Sequence, residues 1–398
     1  MNQFILPVLA LGAGLVVVGC SGSPGTSATR DAGGDRNTAT AGSGVGGGTG
    51  GAAGGAPAAT QTCIPPASQD SPAPKLSLSG CVDPNHPTVL AASVISYEVN
   101  SPLWSDGADK TRGMAVPVGA KIHVKDCAAE PTVCTQGPAD TGKWVFPVGT
   151  VMVKNFLFDG KFVETRLFIH FDSATWVGYS YQWDEGQTDA TLVPDDRVQV
   201  SFNTGKRLVD WHYPNRVDCM KCHAQSAGST LGPETVQMNR LVGGTNQLDR
   251  FQAAGLFDAP VPKPYPAALV APYTSQAGSP PVSATLEQRA RSYMHANCAI
   301  CHRPDGDFPN LDLRLDVSLK GTGLCGTVPM KSDLGIQGSL NLDPGKPDNS
   351  VMLLRMNTPA DSGGGKTVRM PQIATYAIDQ EAVKLIRDWI TSIGGCPP

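Results

Sequence analysis

The sequence predicts an α+β multidomain protein, in which a β-rich, sandwich-like N-terminal domain precedes a mainly α-helical region. Two observations predict this order. From residue 94 to residue 202, short runs of β-branched and aromatic residues are separated by turn residues. Beyond residue 284, apolar residues recur at helical spacing instead. The folded part begins near Lys75 and is long enough for two or three domains.

The β-rich region contains a strong hairpin signal in the segment TVMVKNFLFDGKFVETRLFIHF. Asp159 and Gly160 separate two β-rich runs, and this dipeptide favours a two-residue turn. WVGYSYQW predicts a third strand, and RVQVSF predicts a later one. In the second run of the hairpin, strand periodicity places Val163, Thr165, Leu167 and Ile169 on one face and Glu164, Arg166 and His170 on the other.

The chain carries the pentapeptide Cys-x-x-Cys-His twice. With 11 Cys and 7 His in 398 residues, chance gives on the order of one copy per two hundred such chains. Zinc ribbons place their cysteine pairs only about fifteen to twenty residues apart, much closer than these two copies. The pentapeptide is the attachment signature of c-type haem, in which both thiols form thioethers and the histidine binds the iron. The copies are Cys219, Cys222 and His223, and Cys298, Cys301 and His302.

We therefore predict two covalently bound haem c groups rather than a zinc site or a redox dithiol. His223 is the predicted proximal ligand of the first iron, and His302 that of the second. The tryptophans of the β-rich region are predicted to lie in its core, with a wall against a haem as the alternative. They are Trp104, Trp144, Trp176 and Trp183.

The second motif lies between two predicted helices. Thr285 and Gln288 have capping-box spacing before the helical pattern that leads to Cys298. Asp379 is the predicted N-cap of an amphipathic terminal helix that stops at Gly394.

This order of haem-bearing helix, loops, Met-Pro and terminal helix resembles the small monohaem cytochrome c fold. In that family the methionine before the last helix is the second axial ligand, so the resemblance assigns this role to Met370. Met356 and Met330 are the alternatives.

The first motif has no such Met-Pro-helix ending. Only about forty residues follow His223 before a Pro-rich stretch, which is short for enclosing a haem alone. We predict that the first haem is shared with the β-rich region or with the second unit. Its distal ligand stays open, because Met238 is the nearest methionine and His212 the nearest histidine. His295 is expected to face solvent or a haem propionate.

The remaining cysteines predict disulfides. Of 11 cysteines, four belong to the two motifs and one, Cys20, ends the N-terminal apolar run. An even remainder in an exported protein favours disulfide pairing. Cys127 and Cys134 bracket a short polar loop, Cys325 and Cys396 both lie in the last segment, and Cys63 and Cys81 pair by elimination.

The N-terminus predicts export. The run MNQFILPVLALGAGLVVVGC has signal-peptide length and is short for a membrane span. Its VVGC ending resembles a lipobox, with Cys20 as the lipidated first residue; an ordinary cleaved signal is the alternative. The segment that follows is rich in Gly, Ala, Ser and Thr, which predicts a disordered tether. We therefore expect a lipoprotein anchored to a membrane and facing the periplasm or the cell surface.

Several phrases together resemble a family of uncharacterised exported bacterial dihaem c-type cytochromes. They are YEVNSPLWSDGADKTR, WVFPVGTVMVKNF, VETRLF, LGPETVQMNR, RARSYMHANCAICHRPDG and RMPQIAT, and they cover roughly residues 75 to 398. The resemblance implies two covalent haems, a β-rich N-terminal portion, a C-terminal cytochrome c-like domain and electron transfer.

The predicted organisation has five parts. They are a signal peptide (1–19), a tether (20–62), a β-rich domain (63–205), a first haem unit (206–275) and a second haem unit (276–398). We expect an electron carrier that meets redox partner proteins and is not an enzyme. A peroxidase-like enzyme with an open first haem and a haem subunit of a separate dehydrogenase are the alternatives. The net charge of −4, without a basic stripe, does not indicate nucleic acid.

Overall fold

A six-stranded antiparallel sheet is the largest element of the structure, which is a computed structural model. The structure describes residues 62–134, 140–196, 198–273, 284–359, 368–373 and 375–398. The strand order in the sheet is β1-β2-β5-β6-β7-β8. These strands are β1 (Ile95–Ser96), β2 (Asp109–Ala115), β5 (Val151–Phe158), β6 (Lys161–His170), β7 (Trp176–Trp183) and β8 (Ala190–Leu192).

Three two-stranded sheets accompany the large one. They pair β3 (His123–Val124) with β4 (Trp144–Val145), β9 (Val198–Asn203) with β10 (Leu208–Tyr213), and β11 (Leu241–Val242) with β12 (Thr245–Asn246). The predicted hairpin between β5 and β6 is confirmed. Asp159 and Gly160 have φ of 54° and 83°, the left-handed conformation that a two-residue turn between twisted strands requires. The strands predicted from WVGYSYQW and RVQVSF are confirmed as β7 and β9.

The two faces of the large sheet are covered differently. One face packs against the irregular segment that includes Cys63, Leu76 and Val82. The other face packs partly against the hairpin of β9 and β10 through Phe202 and Trp211. Over the described residues, the predicted sandwich is therefore one large sheet whose covering layers are irregular chain, a hairpin and helices. Tyrosines anchor this irregular chain, because the Tyr179 and Tyr181 hydroxyls donate to carbonyls of Gln69 and Ala73.

In the part of the chain that the structure describes, the α-helices follow the last strand of the β9–β10 hairpin. They are α1 (Arg216–Cys222), α2 (Thr235–Met238), α3 (Gln247–Ala253), α4 (Leu286–Asn297), α5 (Val351–Met356) and α6 (Gln380–Ser392). The predicted capping box at Thr285 and Gln288 is present at the start of α4, and Asp379 caps α6. α4 and α6 pack against each other in one apolar cluster that includes Tyr293, Ile386 and Trp389.

The C-terminal region is less helical than expected. Between α4 and α5, residues 298–350 contain one short 3₁₀ turn, Pro347–Asn349, and otherwise loops. This stretch is rich in Gly, Pro, Asn and Asp, which favour turns over helices. Across the residues that the structure describes, no helix has both the length and the apolar composition needed to cross a membrane.

Candidate functional site

The first motif lies on a helix that packs directly on the large sheet. α1 carries Cys219 and Cys222 and begins at Asn215, whose side chain accepts a hydrogen bond from the Asp218 N–H. A Cβ added to Gly178 in β7 would lie 2.9 Å from Cys219 Sγ, so this thiol contacts the bare backbone of the strand. His223 ends the helix, and its N–H donates to the Cys219 carbonyl at 3.0 Å. α1 is therefore a short helix that presents both thiols of the first motif.

The second motif extends the end of α4. Cys298 is the C-cap of this helix, and its N–H donates to the Met294 carbonyl at 2.8 Å. The turn continues to His302, whose N–H donates to the Cys298 carbonyl at 2.9 Å. Both motifs thus use the end of a helix to place two thiols one turn apart, with the imidazole directly after them.

The other six cysteines in the described chain form the three predicted disulfides. These are Cys63–Cys81, Cys127–Cys134 and Cys325–Cys396. The four motif thiols are free. Burial raises the pKa of the Cys222 and Cys298 thiols to about 12, and it also raises the pKa of Cys219 and Cys301. Thiols that catalyse disulfide exchange have a lowered pKa instead, so these thiols differ from a redox dithiol.

Both motif histidines are held as neutral imidazoles. His223 Nδ1 lies 2.5 Å from the Ser229 carbonyl oxygen, which can only accept a hydrogen bond. Nδ1 therefore carries the proton, and the Nε2 lone pair is left for a metal. Burial lowers the pKa of His223 to about 3 and that of His302 to about 4, so neither ring holds a second proton at neutral pH. These groups fit a c-type haem, whose iron takes a neutral imidazole as ligand and whose two vinyl groups form thioethers with the thiols.

Aromatic rings cover one side of His223. The Phe168 ring centroid lies 4.1 Å from that of His223, and Trp176 stacks on Phe168 at 5.0 Å. His170 continues the stack on Trp176 at 4.3 Å. Trp176 packs against an apolar core cluster and, through Phe168, lies beside the candidate site, so its role as a wall against a haem stays a prediction. Trp144 and Trp183 lie in apolar core clusters.

The two motifs meet. Arg303, which follows His302, donates through Nη1 to the Ser226 carbonyl at 2.7 Å, and Ser226 is three residues after His223. A cavity lies between them, and its lining includes Gly228 and Leu231 from the chain after the first motif and Ile300 from inside the second. The predicted sharing of the first haem site with neighbouring regions is thus compatible with the position of this cavity.

His295 lies in the lining of the same cavity and does not face solvent. Its Nε2 is 2.7 Å from Glu234 Oε1, and its Nδ1 accepts from the Leu315 N–H at 3.0 Å. The side chain is 12% exposed, so of the two positions expected for His295 the solvent-facing one is wrong, and the position beside a haem propionate stays a prediction. The reason is that Glu234, which begins α2, supplies a carboxylate partner that helical spacing alone does not reveal.

The candidate distal ligands have different surroundings. Met370 lies between two gaps in the described chain, at residues 360–367 and at residue 374, and its N–H donates to the Arg355 carbonyl at 3.0 Å. Its role as distal ligand stays a prediction. Met238 is fully buried, and the Gln247 amide donates to its sulfur at 3.4 Å. The His212 ring stacks on Tyr376 with centroids 3.4 Å apart. Met356 packs in the α4–α6 cluster, whereas the side chain of Met330 is 75% exposed.

Some predicted features lie outside the described residues. Cys20, the signal peptide and nearly all of the tether belong to residues 1–61. Lipidation at Cys20 and export therefore stay predictions. The described tether end, Thr62, donates through its hydroxyl to the Gly80 carbonyl at 3.1 Å.

The structure also adds residues that the motifs did not reveal. The Ser229 carbonyl and Gly178 hold the first motif, and Arg112 and Lys154 line the cavity. Among the described side chains, no group of three or more His, Cys, Asp or Glu could hold a metal ion directly. Comparisons of the chain with protein-family models, with curated proteins and with solved structures gave no match. The resemblance to dihaem cytochromes therefore stays a prediction.

Proposed function

We propose that this protein is an exported dihaem c-type cytochrome that transfers single electrons outside the cytoplasm. Cys219, Cys222 and His223 hold the first haem, and the corresponding residues of the second motif hold the second. Its partners are redox proteins, and a lipid at Cys20 anchors it to the membrane. Electron transfer without chemical conversion of a substrate is its function, so it is not an enzyme.

One observation supports this proposal: the chain that follows the first attachment motif contacts the chain at the second, beside a cavity that both segments line. The Arg303 guanidinium, directly after the second motif, donates at 2.7 Å to the carbonyl of Ser226, three residues after the first. Two separate carriers on one chain would have no need for this contact. Adjacent motifs would instead bring two haems close enough to exchange electrons within the molecule.

The side chains of the two motifs have distinct roles. When bound, each haem supplies an iron that cycles between the ferrous and ferric states. Cys219 and Cys222 fix the haem covalently, and the Ser229 carbonyl holds the His223 ring so that Nε2 points away from it. Phe168 and Trp176 exclude water from one side of that ring. Because water is excluded, less solvent has to reorient around the iron when its charge changes.

In the second unit we propose cytochrome c-like ligation by His302 and Met370. The packing of α4 against α6 supports this, because the motif ends one helix and Met370 precedes the other. A thioether ligand favours ferrous iron, so the second haem would have the higher reduction potential.

The intact mass of the matured protein tests the proposal. Protein produced together with a cytochrome c assembly system should exceed the polypeptide mass by two haems. The double variant Cys219→Ala/Cys222→Ala should retain one haem, and Cys298→Ala/Cys301→Ala should retain the other. The matched control Cys127→Ala/Cys134→Ala removes two cysteines of a disulfide and should retain both. A mass that includes zinc and no haem would refute the proposal.

A second candidate function is a haem enzyme with an open first haem. It is favoured by one observation, that both candidate distal ligands of the first haem are engaged elsewhere: Met238 by Gln247 and His212 by Tyr376. Oxidised spectra with and without cyanide distinguish the two functions. Cyanide binding at the first haem alone would support the enzyme, and resistance of both haems would support the carrier.

A further inference from the structure

Three basic side chains lie in a row across the centre of the large sheet. Arg112 in β2 pairs directly with Lys154 in β5, and Lys154 pairs with Arg166 in β6. Directly paired residues of neighbouring strands share a face, so all three side chains point to the side on which α1 packs. We call Arg112, Lys154 and Arg166 the cation row.

The charge of the cation row is only partly balanced. Glu164 binds Arg166 through two hydrogen bonds of 2.7 and 2.8 Å, and its Oε2 also accepts from the Trp211 indole at 2.8 Å. Within the described part of the chain, neither Arg112 nor Lys154 forms an ion pair with a carboxylate. Like charges directly opposite one another destabilise a sheet, so the positive charges of Arg112 and Lys154 require an anion nearby. Burial and the two flanking arginines lower the pKa of Lys154 to about 7.

The other charged groups on the cavity already have partners. Lys143 binds Asp140 at 2.6 Å, and Glu234 binds His295 at 2.7 Å. Arg303 donates to backbone carbonyls, including that of Ser226. Arg112 and Lys154, which line the same cavity, are therefore the cations available to an occupant.

The cation row crosses the sheet from β6 to β2, at increasing distance from β7, the strand that the first pair of thiols contacts. Cys219 lies on Gly178 of β7, and Arg166 is paired with Ser180 two residues further along that strand. Because neighbouring strands lie about 4.8 Å apart, Lys154 and Arg112 are about 10 and 14 Å from β7. A c-type haem is fixed through the vinyl groups at one edge and has its two carboxylates at the opposite edge. The cation row lies on the same face of the sheet as the Cys219 contact and is within the span from the vinyl edge to the carboxylate edge of a haem.

We propose that Arg112 and Lys154, with Arg166 beside them, bind the carboxylates of the first haem. This inference rests on the proposed function and gives the β-rich domain a role in it. The planar guanidinium of Arg112 can bind one carboxylate through two hydrogen bonds, and Lys154 acts as a point charge between the two arginines. The sheet is then one wall of the first haem site.

The test compares Lys154→Gln with Lys206→Gln in the dihaem protein. Lys206 lies exposed in the β9–β10 turn, so its variant loses the same charge far from the cavity. Loss of a cation beside the first haem favours ferric iron. Lys154→Gln should therefore lower the reduction potential of the first haem, leave that of the second unchanged, and lower the thermal midpoint. Lys206→Gln should change neither potential.

Two further variants test the same proposal if Lys154→Gln folds poorly and cannot be purified in useful amounts. Arg112→Gln should shift the same potential in the same direction, and Lys154→Arg, which retains the charge, should leave it close to that of the unmodified protein. If both haems attach and these variants all behave like Lys206→Gln, the carboxylate contact is refuted while the proposed function stands. A shift confined to the second haem also refutes it. An unmodified chain without haem refutes both.

Inorganic phosphate distinguishes haem carboxylates from a free anion. If haem carboxylates occupy the cation row, added phosphate should change the thermal midpoints of the unmodified protein and of Lys154→Gln equally. A midpoint that rises with phosphate only in the unmodified protein would show that the row binds a free anion, and would overturn the inference.

Discussion

At the scale of single residues, Gly178 determines how closely the first motif approaches the sheet. An added Cβ would lie 2.9 Å from Cys219 Sγ and 3.2 Å from its Cβ, below ordinary contact distances. The neighbouring Phe168 ring, 3.6 Å from the same position, also contacts His223. The absence of a side chain at Gly178 therefore leaves room both for the Cys219 thiol and for the Phe168 ring that packs on His223.

The first prediction is that Gly178→Ala displaces α1 from β7 and destabilises the folded protein. Overpacking of the contact with Cys219 should lower the free energy of unfolding by about 1–3 kcal/mol, which denaturant unfolding measures. Gly186→Ala is the control, because a Cβ there would lie 3.4 Å from its nearest neighbour, Asp184 Oδ1. An unfolding free energy of Gly178→Ala equal to that of the control would contradict the prediction.

The second prediction concerns Met370. If its sulfur binds the second iron, Met370→Ala should abolish the weak sulfur-to-ferric charge-transfer band at the red end of the spectrum and lower the potential of that haem. Met330→Ala removes a methionine whose side chain is 75% exposed and should retain the band. A band that is halved in Met370→Ala would mean that both haems have methionine ligands, and would bring Met238 back as the ligand of the first.

The third prediction is that the contribution of Glu234 to the stability of the fold depends on pH. Burial would raise the pKa of this carboxyl, but His295, Lys143 and Arg303 outweigh it and lower the pKa. A lowered pKa stabilises the fold above the ordinary glutamate pKa, and this stabilisation is lost as the pH falls through the folded-state value. Glu234→Gln should therefore cost about 3–5 kcal/mol at neutral pH, with a smaller difference in acid.

Urea unfolding of the haem-loaded protein at neutral and acidic pH measures this difference. Glu185→Gln, at an exposed position after β7, removes the same charge and should match the unmodified protein at both pH values. A loss in Glu234→Gln that stays constant with pH would show that packing, and not the charge, is responsible.

At the scale of elements, the hairpin of β5 and β6 shows how far the sequence predicts the site. Its Asp159–Gly160 turn is predictable, and it pairs Phe158 with Lys161. Continued without interruption, that register would place Lys154 opposite Thr165. A shift between Phe156 and Leu157 places Lys154 opposite Arg166 instead. Because a slip of one residue moves a side chain to the other face, the cation row does not follow from periodicity.

The rest of the molecule also combines features that the sequence predicts with features that it does not. The two motifs, the Cys127–Cys134 disulfide and the helix caps are predictable because each depends on residue types at short spacing. The other two disulfides follow from an even number of remaining cysteines and their positions in the chain. The partners of the motif residues are not predictable, because Gly178 and Glu234 reach the site through tertiary packing and the Ser229 carbonyl through an irregular loop. Residues 298–350 form loops where the resemblance implies a helical domain, because their Gly, Pro, Asn and Asp residues favour turns.

The fourth prediction concerns the disulfide that closes the C-terminal unit. Cys325 and Cys396 are separated by 71 residues, whereas Cys127 and Cys134 are separated by 7. Loss of loop-closure entropy predicts that Cys325→Ala/Cys396→Ala costs about 4 kcal/mol, against about 2.5 kcal/mol for Cys127→Ala/Cys134→Ala. Denaturant unfolding of both double variants measures the difference. Equal losses would show that chain entropy does not account for this stabilisation.

At the scale of the whole molecule, the fifth prediction concerns the anchor. If Cys20 carries a lipid, Cys20→Ala should move the protein from the membrane fraction to the soluble fraction after cell breakage. Ser21→Ala changes the neighbouring residue and should leave the protein in the membrane fraction. An unchanged distribution of Cys20→Ala would favour an ordinary signal peptide.

The contact between α1 and β7 has a consequence for how the protein is made. Cys219 rests on the strand backbone at Gly178, and Arg303 joins the two motifs. If both motifs bind haem as proposed, an assembly enzyme must reach each thiol to link it to a vinyl group, so linkage has to come before α1 settles on the sheet. Biogenesis would then be ordered: export of an open chain, attachment of both cofactors, and only then closure. A chain that folded before attachment could no longer receive haem. The yield of haem-loaded protein would therefore depend on competition between folding and the assembly enzyme.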